Sequence, residues 1–230
     1  MERHFDQELE ALKERLLQMG GRAEAIIQKS VESLKRRDTG LAQEVFEDDK
    51  VIDRMEIEID ERCVGLLALR QPMAVDLRFI TSAMKITNDL ERVGDHAVNI
   101  AGNSVRLAAE PQLKPLVDIP RMANMASGML HEALDAFVRR DAATARRLVR
   151  RDDEVDNLNR QLFRELVSYM IEDPATITRA MELILVARNL ERVADLATNV
   201  AEEVVFIAEA RVIKHHAEEQ PATGDDFGRT

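Results

Sequence analysis

Tryptophan is absent from the 230 residues, tyrosine and cysteine occur once each, and glycine and proline supply only nine and six positions. A sheet protein needs aromatic and β-branched residues with turn chemistry every ten residues or so, and that punctuation is missing. The single Cys63 rules out an intramolecular disulfide framework and suits a reducing compartment. Long apolar runs are missing too. Uncharged stretches reach only about ten residues, as at 96–105, where a membrane span needs roughly 20. Positive charge is also in deficit, with 32 Lys and Arg against 43 Asp and Glu and a formal net charge of −11. Affinity for nucleic acid rests on neutralising phosphates, and adhesion to anionic lipid rests on basic clusters, so neither partner is expected. The first residues, MERHFDQELEALKERL, are charged from position 2 and do not read as a signal peptide. The expectation is an all-helical, cytoplasmic protein with no direct membrane insertion.

What is present is helical periodicity. Phe5, Leu9, Leu12, Leu16, Met19, Ala23 and Ile26 alternate spacings of four and three, the seam of a long packed helix. Asp38 suits the N-cap of a second helix carrying Leu41, Val45, Ile52, Met55, Ile59, Cys63 and Leu66. Pro72 fits the first turn of a third, with Val75, Phe79, Ala83, Ile86, Leu90, Val93, Ala97 and Ile100 on one face. Three prolines in residues 110–120, EPQLKPLVDIP, mark a boundary that no helix crosses comfortably. The pattern then recurs. A fourth helix is expected from about Arg121, a fifth from the Asp141 cap through Leu148, Val155, Leu158, Leu162 and Tyr169, and a sixth from Asp173-Pro174 to about residue 214. Residues 217–230 read as a disordered tail.

The recurrence is a duplication. Shifted by 100, residues 85–105 match 185–205 at nine of 21 positions, including Leu90, Glu91, Arg92, Val93, Asp95 and Asn99 with their counterparts. Shifted by 103, Arg36-Arg37-Asp38 meets Arg139-Arg140-Asp141, and Asp49 and Asp53 meet Asp152 and Asp156. Two tandem, pseudo-symmetric three-helix bundles follow, residues 1–110 and 111–216.

Part of what recurs is not core. Glu91, Asp95 and Asn99 form an oxygen-bearing stripe beside the apolar seam, and Asp49, Asp53, Glu56 and Asp60 form another on the preceding helix. Glu191, Asp195, Asn199, Asp152 and Asp156 repeat the arrangement. Acids at i, i+4 mildly destabilise a helix, and the ordinary reading is a solvated face compensated by Arg92 and Arg192. The alternative is an oxygen-rich site for iron, manganese, magnesium or zinc, open if the stripes face each other. A ferritin-like di-iron oxidase is disfavoured, because no Glu-x-x-His occurs.

The paired segments NDLERVGDHAVNIA (88–101) and RNLERVADLATNVA (188–201) resemble the PhoU family, as do MEIEIDERC (55–63) and LRQPMAVDLR (69–78). The resemblance spans about residues 5–210. It implies tandem three-helix bundles with multinuclear iron or zinc clusters on Glu/Asp-x-x-x-Asp motifs. These map to Asp49/Asp53, Glu91/Asp95, Asp152/Asp156 and Glu191/Asp195, with Asn99 and Asn199 placed to add oxygen ligands. Leu196 stands where the family's second His is expected, opposite His96, which reads as structural rather than ligating. The resemblance implies a negative regulator of phosphate-starvation genes. Such a protein bridges a phosphate ABC transporter and a sensor histidine kinase, peripheral to the inner membrane through these partners and without enzymatic activity. A homodimer or larger homo-oligomer is expected. The runner-up is a helical metal-storage protein or carboxylate-bridged metalloenzyme, and a purely structural scaffold is a third reading.

Residues 139–151, RRDAATARRLVRR, gather six arginines. Arg146, Arg147, Arg150 and Arg151 read either as a solvated face paired with neighbouring acids or as a docking surface for an acidic partner or an oppositely charged second copy. Met122, Met125 and Met129 read as core filler, and Cys63 as a buried hydrophobe.

Overall fold

In a computed structural model the described residues are 2–213, and all regular structure among them is helical. Helix α1 spans Glu2–Arg36, α2 Thr39–Arg70, α3 Ala74–Ala108, α4 Asp118–Arg139, α5 Ala142–Val149, α6 Asp152–Glu172 and α7 Ile177–Glu209. Among the described residues no helix is long and apolar enough to cross a membrane. The expected tail, 217–230, lies outside the described residues.

The caps follow local chemistry. The Asp38 carboxylate accepts from the Gly40 and Leu41 amides at 2.8 and 3.2 Å, and Asp141 accepts from the Thr144 amide at 3.0 Å. Asp173 caps a short 3-10 turn, Pro174–Thr176, and α7 begins only at Ile177 and stops at Glu209. Pro72 lies ahead of α3 rather than in its first turn. Gln71 ends α2 in the left-handed region (φ 47°), and Met73 is the extended residue before Ala74. Val75, expected in the core, is exposed at this end. Pro120 sits inside the first turn of α4, where a missing amide costs nothing, so the helix starts earlier than Arg121.

The expected fifth helix is broken. Between α5 and α6, Arg150 and Arg151 form a tight turn, with the Arg151 amide on Leu148 O at 2.9 Å and the Glu154 amide on Arg151 O at 3.0 Å. The chain turns where arginines give way to Asp152, Asp153 and Glu154. Cations at the end of one helix and acids at the start of the next favour two dipoles over one. Like charges at 146/150 and 147/151 weaken the continuous alternative.

The predicted seams are buried: Leu12, Leu16, Met19, Ala23 and Ile26 on α1, and Phe79, Ala83, Ile86, Leu90, Val93, Ala97 and Ile100 on α3. Met122 and Met129 are core residues and Met125 packs at its margin, while Cys63 is fully buried. One apolar cluster runs through both halves. Helices α3 and α7 cross it antiparallel, tied by Glu203 with Ser82 and Lys85, His96 with Asn189, and Arg106 with Glu182. Phe79 stacks on Phe137 at 5.5 Å. Gly20 lets α1 approach α4 closely, since a Cβ there would lie 2.3 Å from Leu134 Cδ1.

Candidate metal centres

The stripes do face each other. Helix α2 presents Asp49, Asp53 and Glu56 toward Glu91 and Asp95 of α3, because Ile52, Met55, Leu90 and Val93 beside them are locked in the core. In the second half α6 presents Asp152 and Asp156 toward Glu191 and Asp195 of α7. Gly94 permits the first approach. A Cβ on it would stand 2.5 Å from Asp49 Oδ1, and the second half carries Ala194 at that position.

Electrostatics record the crowding. Burial, then Asp53 and Asp95, push Asp49 up to about 6. Burial, then the charges of Asp95, Glu56, Asp53 and Asp49, raise Glu91 to about 7. Asp152 rises to about 7 through burial and then Asp195, Asp156, Asp153 and Glu191. Glu191 is raised by burial and Asp195, with Arg192 acting against the rise. Among the described residues, no set of three or more Asp, Glu, His or Cys side chains closes to a chelating arrangement. The acids converge as mutually repelling charges.

Whether the donors suit a cation can be judged from unmet valence. Asp49 Oδ1 and Asp152 Oδ1, equivalent positions of the duplication, are buried without a hydrogen-bond partner among the described residues, as is Asp60 Oδ1. Orphaned carboxylate oxygens aimed among other carboxylates fit a hard or borderline cation.

The other expected ligands are placed differently. Asn99 is exposed and Asn199 half-buried, one turn beyond the acids. The amides that lie beside carboxylates are Asn88, which acts against the rise of Glu56, and Asn159, which acts against that of Glu191. Sequence reading missed both. The available signal was their spacing, three residues before Glu91 and three after Asp156. His96 Nδ1 lies 2.9 Å from Asn189 Oδ1 across the α3–α7 seam, a structural contact, and Leu196 is buried. The two centres are unequal. Where α2 has Glu56 and Asp60, α6 has Asn159 and Phe163, and Arg192 pairs with Asp195 at 2.7 Å.

The arginines of α5 and of the turn after it are partly engaged. Arg146 pairs with Glu209 at 2.6 Å, Arg151 with Glu132, and Arg147 donates to the Thr144 hydroxyl at 2.6 Å, while Arg150 is exposed at the turn.

Residues 16–103 and 119–204 each match the PhoU domain. The chain belongs to the PhoU family. It is 43% identical over 208 residues to the phosphate-specific transport system accessory protein PhoU homolog of Aquifex aeolicus, covering 90% of this chain and 94% of that one. To the Pseudomonas aeruginosa homolog of the same name it is 42% identical over 212 residues, 92% of this chain and 88% of the other. The crystal structure of PhoU from Pseudomonas aeruginosa superposes with a TM-score of 0.87, covering 90% of this chain and all (100%) of that one at 42% identity. The phosphate transport system regulatory protein PhoU from Streptococcus pneumoniae superposes at 0.84 with 29% identity, over 90% and 98% of the two chains. These PhoU structures and this one share the all-helical tandem fold.

Proposed function

We propose that this chain is an accessory protein of phosphate transport and a negative regulator of phosphate uptake and phosphate-starvation signalling. In this reading it is an adaptor between the phosphate ABC transporter and a sensor histidine kinase, working as a homodimer at the cytoplasmic face of the membrane. The observation that carries the reading is the pair of PhoU domain matches over both halves, with relatives named for phosphate-specific transport. The absence of a nucleophile–His–acid set or a Gly-rich phosphate loop from the sequence agrees with a regulatory rather than catalytic role.

Asp49, Asp53, Glu56, Glu91 and Asp95 would hold metal ions in the first half, and Asp152, Asp156, Glu191 and Asp195 in the second. Iron or zinc is proposed, with manganese or magnesium as alternatives. When bound, such ions supply the positive charge that lets buried carboxylates ionise together. The chain's own contribution is to hold α2 against α3, and α6 against α7, with the acids already facing.

The deciding experiment deletes the gene and follows a phosphate-starvation reporter in high phosphate. Derepression is expected, with repression restored by the intact gene and not by a variant carrying E91A and D95A. A reporter that stays repressed in the deletion overturns the regulatory reading. Oxygen-dependent redox turnover by the purified metal-loaded protein would favour the metalloenzyme reading instead.

A further inference from the structure

The second half carries a groove whose counterpart in the first half has the opposite charge. Between α6 and α7, Arg160, Phe163, Arg164, Ile184, Arg188 and Arg192 line an open cavity of about 490 Å3. Arginines at i, i+4 on each helix place guanidinium groups on both walls. Arg160 donates to Asn157 at 2.8 Å and Arg192 to Asp195 at 2.7 Å. The Arg164 and Arg188 side chains make no ion pair or hydrogen bond among the described residues. Phe163 is 51% exposed, the one exposed phenylalanine among the described residues.

Duplication supplies the comparison. At the positions of Arg160, Phe163, Arg164 and Arg188 the first half has Ile57, Asp60, Glu61 and Asn88. Counting the other equivalent positions, the cavity has four arginines and one acid, and the first-half surface has one arginine and four acids. The core and the facing carboxylates recur while this face has reversed sign, in a chain of net charge −11.

We infer that this groove docks an acidic segment of a partner protein, one that sets an apolar side chain between its carboxylates. Planar guanidiniums pair with carboxylates through two parallel hydrogen bonds, and arginine on both walls fits an extended acidic strand between them. Phe163 and Ile184 offer the apolar centre that such a contact needs for affinity. The chain's net charge of −11 works against acidic segments in general, and this groove, unlike the exposed arginines at 139–151, sets its arginines on two facing walls around an apolar centre. The groove borders the second carboxylate cluster, since Asn159 and Glu191 also line it, but the inference rests neither on bound metal nor on the signalling reading.

Its test is fluorescence anisotropy of the intact chain with a fluorescein-labelled peptide, Glu-Glu-Leu-Phe-Glu-Glu. Saturable binding that weakens steeply with salt is expected. A variant given the first half's residues (F163D, R164E and R188N) should lose at least about tenfold in affinity, with unchanged helical circular dichroism because these positions are exposed. Full-strength binding by that variant, or equal binding of the peptide with Lys in place of Glu, overturns the proposal. So does displacement by inorganic phosphate at matched ionic strength, which would make the groove a small-oxyanion site. Binding to phosphatidylglycerol vesicles that the same substitutions abolish, without peptide binding, would assign it to a lipid surface.

Discussion

Asp49 and Asp152 occupy one position of the duplication, and both keep a buried oxygen without a hydrogen-bond partner among the described residues. Their carboxyls, raised to about 6 and about 7, make the metal-free protein sensitive to pH in a definite direction. Between the ordinary carboxylate range and those values the folded chain holds protons that the unfolded chain has released. Stability therefore falls as pH rises from about 4 to about 7, the reverse of a salt-bridged aspartate. The paired substitution D49N and D152N removes the charges and keeps the shape. After discounting for partial exposure, it should add about 1 kcal/mol per site at pH 8, roughly 2–4 °C each in Tm, and nothing at pH 4. Thermal melts of chelator-dialysed protein at both pH values check this. A gain of equal size at pH 4 would show that repulsion between ionised carboxylates is not its source.

Helix α3 supplies the cations of the central seam and α7 the acids: Lys85 and Arg106 face Glu203 and Glu182. Pairing α7 with another α7 in the same register would set Glu203 against Glu182. Pairing α3 with α3 would leave both cations without an acid. The charges thus favour the pairing within one chain over exchange of halves between copies. Glu203 is 2% exposed and also accepts from the Ser82 hydroxyl, so losing the Lys85 ammonium takes a charged donor from a buried carboxylate. K85M should cost about 2 kcal/mol, and K85M with E203L should recover most of it, giving a coupling of about 1–2 kcal/mol in a urea double-mutant cycle. Additive effects would show that the seam's charges do not act as a pair. Legibility in the sequence also divides at this scale. The caps at Asp38, Asp141 and Asp173 were readable because capping involves residues within one turn. The α5–α6 break was hidden because Leu148 and Val155, seven apart, continue the apolar register across the turn. Glu91 and Asp95 were legible by recurrence, whereas Asn88, Asn159 and the four-arginine groove depend on which helix lies opposite. Arg164 and Arg188 are 24 residues apart and look like ordinary surface charge until α6 meets α7.

At the scale of the molecule, duplication of the sequence need not mean independence of the halves. The apolar cluster is continuous from α1 to α7, Phe79 stacks on Phe137 between halves, and Gly20 draws α1 against Leu134 of α4. Helix α3 spends its length against α7 as well as against α1 and α2. A fragment ending at residue 110 would expose Phe79, which stacks on Phe137, and the side of α3 that packs on α7, and burial of apolar side chains is the main favourable term in folding. The chelated full-length chain should therefore unfold in one transition by calorimetry, with a van't Hoff enthalpy equal to the calorimetric one. Residues 1–110 and 111–216 expressed separately should be unfolded or associated, and mixing them should restore native helicity. Two resolved transitions, or a monomeric folded fragment, would mean that the junction is a true domain boundary and that the continuous core is only a docked interface. The distinction bears on regulation. In a single cooperative unit, a cation held between α2 and α3 stabilises α6 and α7 as well, because all four unfold together. In two docked units it would act on its own half alone.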